Sequence, residues 1–151
     1  MESAYPTLLE FPGPRLLTYP RETVAAEKLE AIVKLGIANS RMKDFYDLEV
    51  LSRTFAFDGK NLAEAIQNTF RHRGTELPPA GIPLAFTPDF YDDRNKVRQW
   101  TAFCAKNKTY IAAVDFKTVI ADIAEFLVPV TRSVSDGVSF PKTWEAGGPW
   151  R

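Results

Sequence analysis

Two ionisable residues stand where two successive helices should be apolar. In Ala26-Glu27-Lys28-Leu29-Glu30-Ala31, Lys28 falls inside the arc of Val24, Ala25, Leu29, Ile32 and Val33 when residues advance by about 100° each. In Arg41-Met42-Lys43-Asp44-Phe45-Tyr46-Asp47-Leu48, Asp44 stands one turn before Leu48, on the apolar stripe of Phe45, Leu48, Leu51 and Phe55. A short turn at 36–39 makes an antiparallel helix pair the natural geometry. Lys28 and Asp44 can then face one another or a common ligand. Two chemistries fit. One is an internal ion pair that only fixes helix packing. The other is a binding or catalytic site in which the two charges line a cleft partly open to water.

The other polar clusters have structural explanations as well as chemical ones. Arg41, Lys43, Asp44 and Asp47 crowd the first turn of the second helix. There Asp44 can serve the helix dipole, and Asp47 is expected to pair with Arg41 or Lys43 as a surface helix pair. Arg71, His72 and Arg73 end the third helix, where cations suit the C-terminal dipole; a phosphate or RNA contact is the alternative. Asp89, Asp92 and Asp93 read as first-turn dipole complements, with magnesium binding as the alternative. Trp144 and Trp150 read as core anchors before base-stacking platforms.

Composition removes several function classes. Among 151 residues, 19 basic and 19 acidic side chains balance, which removes any global electrostatic argument for nucleic acid or an anionic membrane. The single cysteine, Cys104, and the single histidine, His72, argue against an internal disulfide, a zinc site built on cysteine, and a Ser-His-Asp triad. Neither Gly-x-Gly-x-x-Gly nor Gly-x-x-x-x-Gly-Lys-Ser/Thr occurs. No apolar run approaches the ~20 residues of a membrane span and no signal-peptide pattern opens the chain, so a cytoplasmic location without membrane contact is expected.

The elements that must position these residues are mostly helical. The first helix is expected from Pro20 to about Leu35, the second from near Ser40, and the third from Asp58 or Asn61 to Gly74. After a Pro/Gly-rich loop, Thr87-Pro88 predicts a fourth helix reaching about Asn107 with Phe90, Val97, Trp100 and Cys104 on its core face. Asp115 predicts the cap of a fifth, carrying Phe116, Val119, Ile120, Ile123 and Leu127 and ending at Pro129. Residues 131–151 read as an irregular tail in which Phe140, Trp144 and Trp150 dock on the bundle. Residues 7–11 and 15–19, joined at Pro12-Gly13-Pro14, read as a short hairpin too small to stand alone. The fold expected is mainly α: a bundle of about five helices over 20–151, with strands over 1–19.

The block Ala26-Glu27-Lys28-Leu29-x-Ala31 followed by Ser40-Arg41-x-Lys43-Asp44-x-Tyr46-Asp47-Leu48 resembles the second half of the AbiEii/AbiGii-type nucleotidyltransferase toxins. The Ala65-Ile66-x-x-Thr69-Phe70-x-x-Arg73-Gly74-Thr75 segment, the Pro-rich loop and the Trp144 … Gly147-Gly148-Pro149-Trp150 tail agree in order. The resemblance implies a polymerase-β-like catalytic domain followed by a helical domain, and metal-dependent nucleotidyl transfer by a toxin of toxin–antitoxin or phage-defence systems. By position, Lys28 resembles the motif lysine that contacts the nucleoside triphosphate. Asp44 resembles the acidic residue of the Arg/Lys-Asp-x-x-Asp motif, so Lys28 and Asp44 are the implied catalytic residues and Lys28, Lys43 and Asp47 the implied nucleotide-binding set. The family's Gly-Ser turn and Asp-x-Asp metal pair are absent from this sequence. The strands at 7–19 then look like the last part of a catalytic sheet. The chain is expected to be a C-terminal portion, from a split gene, a decayed copy or a truncated form, and inactive alone. Magnesium and nucleoside triphosphate would serve the complete enzyme and neither is expected on this chain alone. The implied partners are an N-terminal catalytic half or an antitoxin. Self-association through the strands at 7–19 is a further expectation. The alternative is a non-enzymatic helical module that binds an antitoxin, itself or RNA.

Overall fold

The computed structural model describes residues 20–109, 111 and 114–151. The hairpin expected at 7–19 lies outside the described residues. Within them the chain is mainly α, as its periodicity predicts. Helix α1 spans Arg21–Leu35, α2 Met42–Thr54 and α3 Gly59–Arg73; a short α4 covers Pro88–Tyr91, α5 covers Arg94–Lys106 and α6 covers Phe116–Asp136. Two short strands, β1 (Phe57–Asp58) and β2 (Thr143–Trp144), pair antiparallel with Phe57 opposite Trp144.

The longest helix, α6, carries the core. Its buried residues Phe116, Val119, Ile120, Ile123, Phe126, Leu127 and Val130 recur at three- and four-residue steps, and both α2 and α3 pack on that stripe. Asp115 caps its start, accepting from the Thr118 amide at 3.2 Å. Helix α1 packs on α2 but more extensively on α3. The chain leaves α1 through Gly36, whose φ of +54° strains any side chain, and the 3₁₀ turn Gly36–Ala38 rests on a second 3₁₀ turn at Leu84–Phe86.

Three expectations need correction. The helix expected from near Ser40 starts two residues later, at Met42; Arg41 occupies the cap position and no side chain caps the helix. The helix expected from Thr87 to Asn107 is two helices, because Asp92 and Asp93 break it. The Asp93 carboxylate accepts from the Lys96 amide at 3.0 Å and starts α5 afresh. Along α5 the inward face is Lys96, Trp100 and Cys104, and Val97, expected with them, is 40% exposed. Pro129 does not end α6, which continues to Asp136. Pro129 and Glu125 both lie on the solvent face, where water can satisfy the carbonyl that proline leaves without a donor.

The tail docks as expected, but with a strand in it. Trp144 is 2% exposed and donates its indole N–H to the Ser52 carbonyl at 2.7 Å; Trp150 donates to the Phe126 carbonyl at 2.8 Å. The two indoles lie 5.3 Å apart by ring centroids, and Phe140 meets Trp150 edge-on at 4.8 Å. Gly148 lies against the Trp144 ring so closely that a Cβ there would come 2.5 Å from it.

One buried acid gives the fold a pH dependence. Burial, together with a hydrogen bond to the Asp122 carboxyl and that group's charge, raises Glu49 from 4.5 to about 7 against the opposing pull of Arg53. Because the folded value lies above the unfolded one, the associated stability is present in full below pH 4.5. It is lost as pH rises through about 7. That gap corresponds to about 3 kcal/mol at most. Glu49→Gln mimics the neutral acid permanently. Its melting temperature relative to the native chain should therefore rise by several degrees between pH 4.5 and 8; a constant difference across that range would disprove the assignment.

Candidate functional site

Lys28, on the third turn-face of α1, reaches across to the first turns of α2. Its ammonium lies 3.1 Å from Asp44 Oδ1 and 3.1 Å from Asp47 Oδ2. The three-residue spacing of the two acids puts both carboxylates on one side of α2, so a single cation bridges them. The remaining oxygens meet further cations: Arg41 Nε lies 3.1 Å from Asp44 Oδ2, and Lys43 Nζ 3.1 Å from Asp47 Oδ1. The result is one network of three cations and two anions.

Burial differs sharply within the network. The Asp44 and Asp47 side chains are 3% and 0% exposed, whereas Lys28 retains 18% and Arg41 60%. The expected opening to water therefore holds for the cations, and the carboxylates are sealed beneath them. Asp47 is not the surface pair its position on the stripe's edge suggests. It makes the expected bond to Lys43, and it also shares Lys28 with Asp44. Burial pulls the Lys28 pKa down, but the charges of Asp47 and Asp44 outweigh it and hold the ammonium above its ordinary value. Burial dominates for Asp47 and raises it, in spite of Lys28 and Lys43. Lys28 is therefore a permanent cation near neutrality, suited to holding an anion and unsuited to acting as a base or nucleophile.

The network lines a cleft of about 830 Å³. Its other wall is α5, with Gln99, Ala102, Phe103, Lys106 and Asn107, and Ile111 beyond it. Lining cations number four (Lys28, Arg41, Lys43, Lys106) against the two buried carboxylates, a surplus that favours an anionic ligand.

The turn before α2 is fixed from the same wall. Lys96 is only 6% exposed and donates to the Asn39 carbonyl at 2.6 Å, with its ammonium 5.1 Å from the Phe90 ring centre. Asn39 Oδ1 in turn accepts from the Arg41 amide at 2.7 Å. Sequence reasoning missed both residues and the whole α5 wall. The 99–102–103–106 spacing on one helix face was the available signal.

The other clusters do not join the cleft. Arg73 pairs with the buried Glu30 at 2.9 Å and with Glu27 at 3.5 Å, while Thr75 donates to Glu30 at 2.6 Å. Asp93 is a helix cap; Asp89 and Asp92 are exposed beside the α4–α5 break. Trp144 and Trp150 belong to the core seam.

Removing Lys28 leaves two buried acids with one cation each. Lys28→Met should cost about 3 kcal/mol at pH 7, the lower end for a broken buried pair because Arg41 and Lys43 remain. In the variant the stranded acids bind protons more readily folded than unfolded, so the deficit should shrink as pH falls toward 4. Melting curves of both proteins across that range would check this; a deficit that grows on acidification would rule out stranded carboxylates as its cause.

Of this arrangement, the sequence block at 26–48 predicts the meeting of Lys28 with Asp44; the second buried acid on the lysine, Asp47, is added by the structure. No curated protein and no solved structure matches the chain significantly. A family model does: the one described as nucleotidyl transferase AbiEii toxin, type IV toxin–antitoxin system, matches residues 1–122 and so takes in the whole Lys28–Asp44–Asp47 network. By that match over most of its length, the chain belongs to the AbiEii nucleotidyl transferase toxin family.

Proposed function

We propose that this chain provides the triphosphate-anchoring helical part of a nucleotidyltransferase toxin and transfers a nucleotide only with metal-binding carboxylates from outside these 151 residues. The observation that carries this reading is the Lys28 ammonium, charged and held by Asp44 and Asp47 in a cleft that also presents Arg41, Lys43 and Lys106. Such a group stabilises phosphate oxygens electrostatically, and its fixed partners remove the cost of orienting it. In this reading Lys28 and Lys43 touch the triphosphate, while Asp44 and Asp47 position them.

Magnesium in the complete enzyme would stabilise the attacking and leaving oxygens of the transfer. Asp44 and Asp47 do not fit as its ligands. Each of their four oxygens already faces Lys28, Arg41 or Lys43 at 3.1 Å, and a divalent ion would have to displace Lys28. The sequence offers no Asp-x-Asp elsewhere. A partner segment or polypeptide bearing the Gly-Ser turn and Asp-x-Asp, in the cytoplasm where nucleoside triphosphates are plentiful, would complete the site.

A second reading, a helical module that binds an antitoxin, is favoured by exposed apolar side chains around the α1–α2 turn. Leu35 is 37% exposed and Ile37 50%; the turn they flank packs on the segment bearing Leu84, itself 42% exposed. Among the described residues no helix is long and apolar enough to cross a membrane.

Labelled nucleoside triphosphates, magnesium and bulk RNA separate the readings. The chain alone should give no labelled product above a Lys28→Ala control. Adding a polypeptide that carries the Gly-Ser turn and Asp-x-Asp should produce labelling that Lys28→Ala lowers at least a hundredfold. Strong labelling by the chain alone would overturn the need for outside carboxylates, and none in the completed mixture would favour the interaction module.

A further inference from the structure

The two walls of the cleft differ in chemistry: the α1–α2 wall is charged, and the α5 wall adds an aromatic ring and a carboxamide to Lys106. Gln99, Ala102, Phe103 and Lys106 recur at i, i+3, i+4 and i+7, so one face of α5 looks onto the cleft. Phe103 is half-buried, and its ring packs on two others. It lies 5.6 Å from Trp100, which stacks on Phe116 at 5.2 Å, and 6.1 Å from the tilted ring of Tyr46 on α2. An aromatic series thus runs from the core, Phe116 to Trp100 to Phe103, and ends at the cleft.

Beside this ring stand two carboxamides. Asn107 is engaged, donating through Nδ2 to the Phe103 carbonyl at 2.8 Å. Gln99 is exposed in the cleft wall, and its carboxamide makes no hydrogen bond among the described residues. A pre-held aromatic ring with an adjacent unengaged donor–acceptor group is suited to a flat heteroaromatic ring with a polar edge. A polyphosphate has no flat ring to lay on Phe103.

We propose that the Gln99–Phe103 face of α5 is a nucleobase-binding wall, with Phe103 stacking on the base and Gln99 reading its polar edge. The proposal rests on the triphosphate reading of the Lys28 network and extends it to the other end of the same ligand. It makes α5, not the charged helix pair, the element that decides which nucleotide is used. A cleft of about 830 Å³ lies within the usual range of roughly 300–1,000 Å³ for small-ligand sites.

Amide chemical-shift titrations of the full chain with inorganic tripolyphosphate and with each of the four ribonucleoside triphosphates test it, since they read weak affinities without catalysis. The native chain should bind both ligand types, with Lys28→Met weakening all of them, and should bind at least one nucleotide more tightly than tripolyphosphate. Phe103→Ala should weaken the nucleotides about tenfold, the scale of a single base–aromatic stack, and leave tripolyphosphate unchanged. Phe103→Leu, which preserves most of the packing on Trp100, should give the same pattern if the alanine variant is disturbed. Gln99→Ala should bring the four nucleotides within about twofold of one another. Equal binding of tripolyphosphate and nucleotides, or equal losses for both in Phe103→Leu, would overturn the base wall and leave the anion site standing. Failure of every ligand to bind in a Lys28-dependent way would remove the anion site and the base wall together.

Discussion

Two carboxylates buried on consecutive turns of one helix cannot remain ionised without a cation between them, and Lys28 is that cation. Much of the architecture around it follows from this demand. The ammonium must arrive from a different helix, so α1 has to approach α2 closely at this level while packing mainly on α3. The short turn from Gly36 to Asn39 allows that approach, and Lys96 clamps its last carbonyl from α5. Arg41 and Lys43 then close the outer side of the acids. Apolar side chains at 28, 44 and 47 would pack at less electrostatic cost. Charge at all three positions suits a site that holds its lysine for a ligand.

The same economy of position operates at the other end of the molecule. Strand β1 gives the tail only two residues to pair with, which alone would be marginal. Trp144 and Trp150 supply the rest by burying their rings against Phe126 and satisfying their N–H groups on carbonyls of α2 and α6. The tail thereby closes the seam between α2 and α6, far from the cleft. The Pro-rich loop is fixed to α6 by a comparable close approach: Gly81, at φ +75°, would place a Cβ 2.5 Å from the Arg132 amide nitrogen, and Arg132 donates to the Ala80 carbonyl at 3.0 Å.

Helical periodicity made the bundle legible, and the misplacement of Lys28 and Asp44 within it made the centre of the site legible too. Both signals depend on neighbours one turn away, which a single sequence displays. The depth of Asp47 did not show, because a residue on the edge of a stripe is assigned to core or surface only once the neighbouring helix is placed. The α5 wall was lost for a related reason. Trp100 and Cys104 fall on the core face as expected, but which neighbouring face of the helix meets α2 across the cleft shows only once α2 is placed. Pro129 misled, since whether a proline ends a helix depends on the solvent exposure of the carbonyl it abandons. The two-residue strands carry too few residues for any alternating pattern.

The tryptophans have a consequence of another kind. All three donate to backbone carbonyls at different joints of the molecule: Trp100 to Val114, Trp144 to Ser52 and Trp150 to Phe126. Trp144 and Trp150 are also close enough, at 5.3 Å, for their excited states to couple. The protein therefore contains its own optical gauge. Indole emission reports desolvation at all three joints, while a paired-indole signal in circular dichroism belongs to the tail seam alone. Loosening of the tail and opening of the cleft wall would be separable by wavelength and technique, without a foreign label on either surface.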